Sequence, residues 1–278
     1  MIDIYGSTAV VQCHSIGMHI QRKRISQALQ KAYGEKMNHI FCKSQGSLPK
    51  NYAEKNEDEF LLGNATNESV KEHGHNFYVN WELGQKTGFF LDQRENRKLL
   101  AKHAAGKSVL NTFCYSGGFS VYALQAGATE VLSVDISPKA IDWTERNVEL
   151  NPGFKGTHKS SAEDVMEFFK THEKSYDIII VDPPAFAKSI KKRHQAVQGY
   201  KRLNSMAMRK VKLGGLLFTY SCSQVVDDKL FYHTIVAAAH DAGKNVRVMQ
   251  RMSQPADHPV NLFHPEGSYL KGLVIEVS

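Results

Sequence analysis

The segment Tyr176–Val181, YDIIIV, constrains the fold more than any other part of the chain. Its apolar residues run on without the alternation that a half-exposed strand would show. Such a strand is buried on both faces, which requires a sheet covered by helices on either side. Its surroundings agree. Ser108–Phe113 (SVLNTF), Glu130–Asp135 (EVLSVD), Gly215–Ser221 (GLLFTYS), Asn245–Arg251 and Tyr269–Val277 (YLKGLVIEV) read as further strands. Glu95–His103, Phe119–Gln125, Pro138–Leu150, Ala162–Thr171, Val197–Lys212 and Lys229–Ala242 read as helices between them. Ser137 is placed to cap one of these, with Pro138 at its first position. The alternation predicts a doubly wound α/β sheet.

The first part of the chain is built differently. Ile2–His14 is β-rich, and Ile16–Tyr33 carries Ile16, Ile20, Ile25 and Leu29 at approximately helical spacing, with Gly34 as the stop. His39–Lys43 is a short apolar run, and Val70–Trp81 reads as a hairpin turning at Gly74. A polar, turn-rich stretch from Ser44 to Ser69 separates the two halves. We expect a small α+β domain over residues 1–83, a candidate RNA-binding or central domain, and a larger α/β domain over 84–278.

Composition excludes several classes. The four cysteines, Cys13, Cys42, Cys114 and Cys222, form no CxxC pair and are scattered over 278 residues, unlike a disulfide scaffold. The 13 histidines show no HExxH spacing, so no metal is expected. The N-terminus has no leader pattern and no apolar stretch approaches a membrane span. The expected setting is the cytoplasm, with no membrane partner. The net charge of +7 suits a polyanionic partner without requiring one.

Four stretches bear on chemistry. In NTFCYSGGFSVYAL (111–124), a strand runs through Gly117–Gly118 into a helix, where backbone can approach a ligand and a helix N-terminus offers N–H groups. Asp135 ends the next strand, 17 residues after Gly118, where a carboxylate can accept from a ribose diol. Together they suggest a nucleoside-containing cofactor, although an ordinary βα turn would look similar. DPPAF (182–186) follows YDIIIV directly and sets Asp182 and two prolines at the carboxyl end of that strand, the ligand-binding edge of such sheets. TYSCSQ (219–224) brings Cys222 to the same edge. A lone cysteine is usually a small buried hydrophobe, but a thiol beside a carboxylate there is a candidate nucleophile. Cys114, in the glycine turn, competes for that role, and we expect packing or cofactor proximity for it instead. Finally, Lys188, Lys191, Lys192, Arg193, Lys201 and Arg202 form a basic run after DPPAF that could neutralise phosphates or simply be a solvated face.

These strings, with KTGFFLDQRENR (86–97), SVDISPKAI (133–141), GYKRLN (199–204) and PADHP…PEGSYLKG (255–272), resemble the RlmI (YccW) type of class I methyltransferase. IDIYG (2–6) and KEHG (71–74) extend the likeness forward. That family makes 5-methylcytosine in 23S ribosomal RNA, using S-adenosylmethionine on a Rossmann-like sheet. Its members typically carry a further small RNA-binding PUA domain ahead of the matching segment, which this chain is read as lacking. The resemblance implies that Ser116, Gly117, Gly118, Asp135 and Ile136 line the S-adenosylmethionine pocket. It further implies that Ala162 and Asp164 flank the adenine, that Arg94 lies close to the methionine end, and that Asp182 faces both cofactor and base. The expected partners are 23S ribosomal RNA and, in a homodimer, a second copy of the chain.

On this reading Cys222 is the covalent nucleophile and Asp182 bonds the N3–N4 edge of cytosine, with Lys86 as a cation that could favour the thiolate. Two rivals keep the fold. One is an RNA base N-methyltransferase that uses the DPPAF loop and needs no thiol. The other is a non-catalytic RNA-binding protein, which cofactor binding would distinguish. A dehydrogenase is disfavoured by the missing third glycine of the turn.

Overall fold

The computed structural model describes residues 1–64, 68–187 and 189–278. The chain divides into two compact units, Met1–Leu91 and Asp92–Ser278.

In the first unit, β1 (Ile2–Tyr5) and β2 (Thr8–Val11) form a hairpin, and α1 (Ile16–Ile20) and α2 (Arg22–Tyr33) lead back to β3 (His39–Cys42), parallel to β2. The single helix expected over Ile16–Tyr33 is broken at Gln21, whose backbone leaves helical geometry. The break matters for packing. Ile25 and Leu29 on α2 lie against a core of Ala9, Val11, Met37 and Ile40, while Ile20 before the break is 60% exposed. Gly34 ends α2 as expected, at a φ of 55°. The polar stretch hides two elements, α3 (Lys50–Ala53) and β4 (Glu59–Leu62), the latter completing a four-stranded sheet in the order β1-β2-β3-β4. β5 (Glu68–Glu72) and β6 (His75–Val79) form the expected hairpin.

The second unit is a seven-stranded sheet in the order β12-β13-β11-β10-β7-β8-β9. After α4 (Arg94–Ala104) come β7 (Ser108–Thr112), α5 (Gly118–Gln125), β8 (Glu130–Asp135), α6 (Pro138–Glu149), β9 (Thr157–Ala162) and α7 (Val165–Thr171). Then follow β10 (Tyr176–Val181), α8 (Arg193–Lys210), β11 (Val211–Ser221), α9 (Asp228–Ala242), β12 (Val246–Ser253) and β13 (Lys271–Val277). The pairings from β9 through β11 are parallel, whereas β13 runs antiparallel to both β11 and β12. Phe168 of α7, Tyr200 of α8 and Phe231 and Ile235 of α9 pack with Ile179, Val181, Leu217 and Ile275 in one core. On the other face Phe218 meets His103 of α4, and Tyr220 meets Phe119 of α5. The sheet is covered on both sides, as the apolar β10 required.

The helix expected over Ala162–Thr171 is shorter, and Ala162 belongs to a strand instead. Ala162 ends β9, and the helix begins at Val165 with Asp164 as N-cap, accepting from the amides of Met166 and Glu167. β9, THKSSA, is the edge strand and is polar, so it lacks the apolar run that marks its neighbours.

Ser137 caps α6 as expected, accepting from the Ala140 amide at 3.3 Å. Loss of a cap of this kind costs about 1 kcal/mol. Ser137→Ala should lower the urea midpoint of the α/β unit accordingly, with the slope unchanged.

Candidate active site

Strand β7 neighbours β8 on one side and β10 on the other, so the chain order reverses there. In open α/β sheets, ligands bind at such a switch point, beyond the carboxyl ends of the strands. The register pairs Val181 with Thr112, and Thr112 with Val134. The segments that leave these strands, Phe113–Gly117, Ile136–Ser137 and Asp182–Ala187, therefore start side by side.

The turn after β7 is wound tightly. Phe113, Tyr115 and Gly117 all take positive φ, at 55°, 49° and 74°. Two non-glycine residues in that region are costly and persist only where the surroundings fix them. Here the surroundings are α6 and Asp135. Thr144 and Asn147, fully buried and three apart on α6, donate to the carbonyls of Tyr115 (2.9 Å) and Ser116 (2.8 Å). Asp135 accepts from the amide of Tyr115 through Oδ2 and from that of Ser137 through Oδ1, both at 3.0 Å. A side chain at Gly117 would place its Cβ 2.6 Å from Thr144 Cγ2, and one at Gly118 would lie 2.9 Å from Arg97 Cδ. Glycine here is a packing requirement.

Asp135 is thus clamped by two amides, and each oxygen keeps acceptor capacity for an incoming diol. Ile136, next in sequence, is 67% exposed and offers an apolar surface to a flat ring. Ala162 pairs directly with Asp135 in the β8–β9 register. The Asp164 carboxylate is occupied on one oxygen by its capping role. Arg94 opens α4 and pairs with Asp257 at 2.7 Å, tying the PADHP segment to this end of the unit.

Around β10 and β11 the arrangement has parts that the sequence did not reveal. Asp182 is half-buried and its Oδ2 accepts from Gln93 Nε2 at 2.9 Å. Gln93 is fixed in turn by Asn96, whose Nδ2 donates to Gln93 Oε1 at 2.6 Å. Both amides are buried, so this relay sets the direction of the carboxylate. Phe186 of the DPPAF segment rests on the buried Tyr200 ring at 4.6 Å, over Gly199. Ser223 Oγ donates to the Ala187 carbonyl at 2.7 Å, joining the Cys222 turn to the Asp182 loop.

Of the four cysteines, Cys222 alone is half-buried and the others are buried. Burial pushes the Cys114 thiol up to about 12 and that of Cys42 up to about 11. Cys114 instead lies 3.5 Å from Thr144 Oγ1, inside the glycine turn. Lys86 lies over the ring of Phe90 in the first unit, 4.8 Å from its centroid. In the basic run, Lys191, Lys192 and Arg193 are exposed, whereas Lys201 pairs with Asp241 at 3.3 Å. Lys188 lies outside the described residues.

Residues 25–268 match the model of the S-adenosylmethionine-dependent methyltransferase family. The chain belongs to that family. Its cofactor is S-adenosylmethionine, and the clamped acidic strand end with its glycine turn suits a nucleoside carrying an amino-acid tail. Among curated relatives of this methyltransferase, the ribosomal RNA large subunit methyltransferase I of Aeromonas hydrophila is 39% identical over 280 residues, covering 99% of this chain and 70% of that protein. The relative from Shigella boydii serotype 18 with the same name is 37% identical, again over 99% and 70%. A solved methyltransferase structure with SAH bound superposes with a TM-score of 0.84 at 26% identity, covering 99% of this chain and 70% of that one.

Asp135→Ala should weaken S-adenosylmethionine binding by about 1.5–3 kcal/mol, the value of a hydrogen bond to a charged group. Asp135→Asn, which keeps one acceptor, should fall between that variant and wild type. Calorimetric titration measures both, and equal affinities in all three proteins would remove Asp135 from the cofactor site.

Proposed function

We propose that this methyltransferase forms 5-methylcytosine in RNA, ribosomal RNA by its likeness to the named relatives, through a covalent adduct on Cys222. What carries the reading is the half-buried Cys222 thiol on a turn bonded to the Asp182 loop, at the sheet's switch edge. The cytoplasm is the compartment that fits such a substrate.

The chemistry explains why both groups are needed. Carbon 5 of cytosine is a poor nucleophile. Addition of the Cys222 thiolate at carbon 6 forms an S–C bond and pushes the ring electrons toward carbon 5 and N3, giving an enamine-like species. Asp182, oriented by Gln93 and Asn96, would bond the N3–N4 edge where the developing charge is neutralised. S-adenosylmethionine, when bound, would supply the methyl group that carbon 5 takes, its S–CH3 bond breaking to leave S-adenosylhomocysteine. Loss of the carbon 5 proton to a base restores the double bond and expels the thiolate. Ser116, Gly117, Gly118, Asp135 and Ile136 would hold the cofactor, with Ala162 and Asp164 beside the adenine and Arg94 toward the methionine end. Exposed Lys191, Lys192 and Arg193 would meet the phosphates.

Cys222→Ser should keep the fold and cofactor affinity but abolish turnover, since a hydroxyl is scarcely ionised at neutral pH. RNA containing 5-fluorocytosine should trap wild-type protein as an adduct on a denaturing gel, because fluorine does not leave as a proton does. Near wild-type methylation by Cys222→Ser would instead favour direct transfer to a ring or exocyclic nitrogen. Separately, replacing Lys191, Lys192 and Arg193 by alanine should weaken RNA binding and flatten its salt dependence while leaving cofactor affinity unchanged. An unaltered salt slope would return the run to a solvated face.

A further inference from the structure

Lys271, the first residue of β13, is 4% exposed. A lysine so placed is costly unless its ammonium is bonded or paired. Its position is set by strand pairing, because Lys271 stands opposite Ser221, the residue before Cys222. Its Nζ donates to the Ser223 carbonyl at 2.8 Å, and to the Tyr269 carbonyl at 2.8 Å. The ammonium therefore touches the residue after Cys222 while its own backbone flanks the residue before. Two of its three donors are satisfied by these carbonyls. Burial lowers Lys271 from the ordinary lysine value, while Asp228, Cys222 and Asp227 act in the opposite direction and favour the charged form.

We propose that Lys271 is the positioning residue of Cys222: its ammonium clamps the Ser221–Ser223 turn and supplies the positive charge that holds the sulfur as thiolate before any substrate arrives. A neighbouring cation favours the thiolate, and the effect is stronger where water is partly excluded. The other groups around the turn set what the lysine must offset. The Tyr200 hydroxyl on α8, which interacts with both Cys222 and Asp182, is pushed up to about 12 by burial and is neutral. An Asp182 carboxylate, after β10, opposes the thiolate by like charge. Asp227 and Asp228, at the start of α9, favour the charged form of the lysine against the effect of burial. The catalytic meaning of the clamp rests on Cys222 being the nucleophile, but the ionisation it predicts is measurable without RNA.

The test is the pH profile of Cys222 alkylation by iodoacetamide in the full chain, read at the Cys222 peptide by mass spectrometry. Wild type should show a midpoint at least about one pH unit below the ordinary thiol value near 8.5. Lys271→Met should raise the midpoint by about one unit or more, and Lys271→Arg should restore it most of the way. Circular dichroism and S-adenosylmethionine binding report whether each variant is folded. A folded Lys271→Met protein with an unshifted midpoint would overturn the proposal. So would a wild-type midpoint at or above the ordinary value, which decides the matter even if the methionine variant does not fold. If the low midpoint is found but 5-fluorocytosine RNA traps no adduct, the nucleophile reading falls and the clamp stands.

Discussion

The pairing of β10 against β7 is the constraint on which the remaining geometry depends. Val181 and Thr112 are register partners, so the chain leaves both strands at the same height. One exit becomes the glycine turn and the other the Asp182 loop. A register slip of one residue would turn every inward side chain of β10 outward, which the continuous apolar run would not resist by itself because both faces are apolar. The neighbours supply the specification. The Thr112 hydroxyl donates to the Ile180 carbonyl at 2.6 Å, and Ser108 binds Asp177 through both its amide and its hydroxyl. The Asp177 carboxyl, held well down at about 2 by these bonds and by Lys212 against the cost of burial, pins the amino end of β10 as Thr112 pins its carboxyl end.

From that pairing the site is assembled by side-chain bonds between loops rather than within them. Asp135 holds the turns after β7 and β8, Thr144 and Asn147 reach up from α6, Gln93 steers Asp182, and Ser223 ties the β11 exit to the β10 exit. Each is a buried or partly buried polar contact with a single partner geometry, which rigidifies the edge more than apolar packing could. The two left-handed residues Phe113 and Tyr115 record what this costs, since nothing in their own chemistry favours that backbone.

What could be read from the sequence follows the range of the interaction. Glu130–Asp135 and Tyr176–Val181 were found to the residue because an apolar run bounded by turn residues carries its own limits. β9 was missed since an edge strand need not be apolar, and the break at Gln21 was missed since spacing alone cannot distinguish one helix from two. Asp135, Asp182 and Cys222 were visible as strand-end residues. Gln93, Asn96 and Lys271 were not. All three stood in strings already singled out, but the roles of Gln93 and Lys271 depend on partners 89 and 48 residues away. Such roles exist only once the sheet is ordered.

The insertion of β13 between β11 and β12 has a consequence for how the molecule is made. β12 precedes β13 in the chain, yet its strand partner is β13. Until residues 271–277 are in place, β12 therefore lacks its native partner and β11 presents an open edge. Over that interval Cys222 already exists on its turn but lacks the buried lysine beside it. The surroundings of Cys222 are thus completed only when β13 is laid down beside β11, a segment that follows the cysteine in the chain by 49 residues or more.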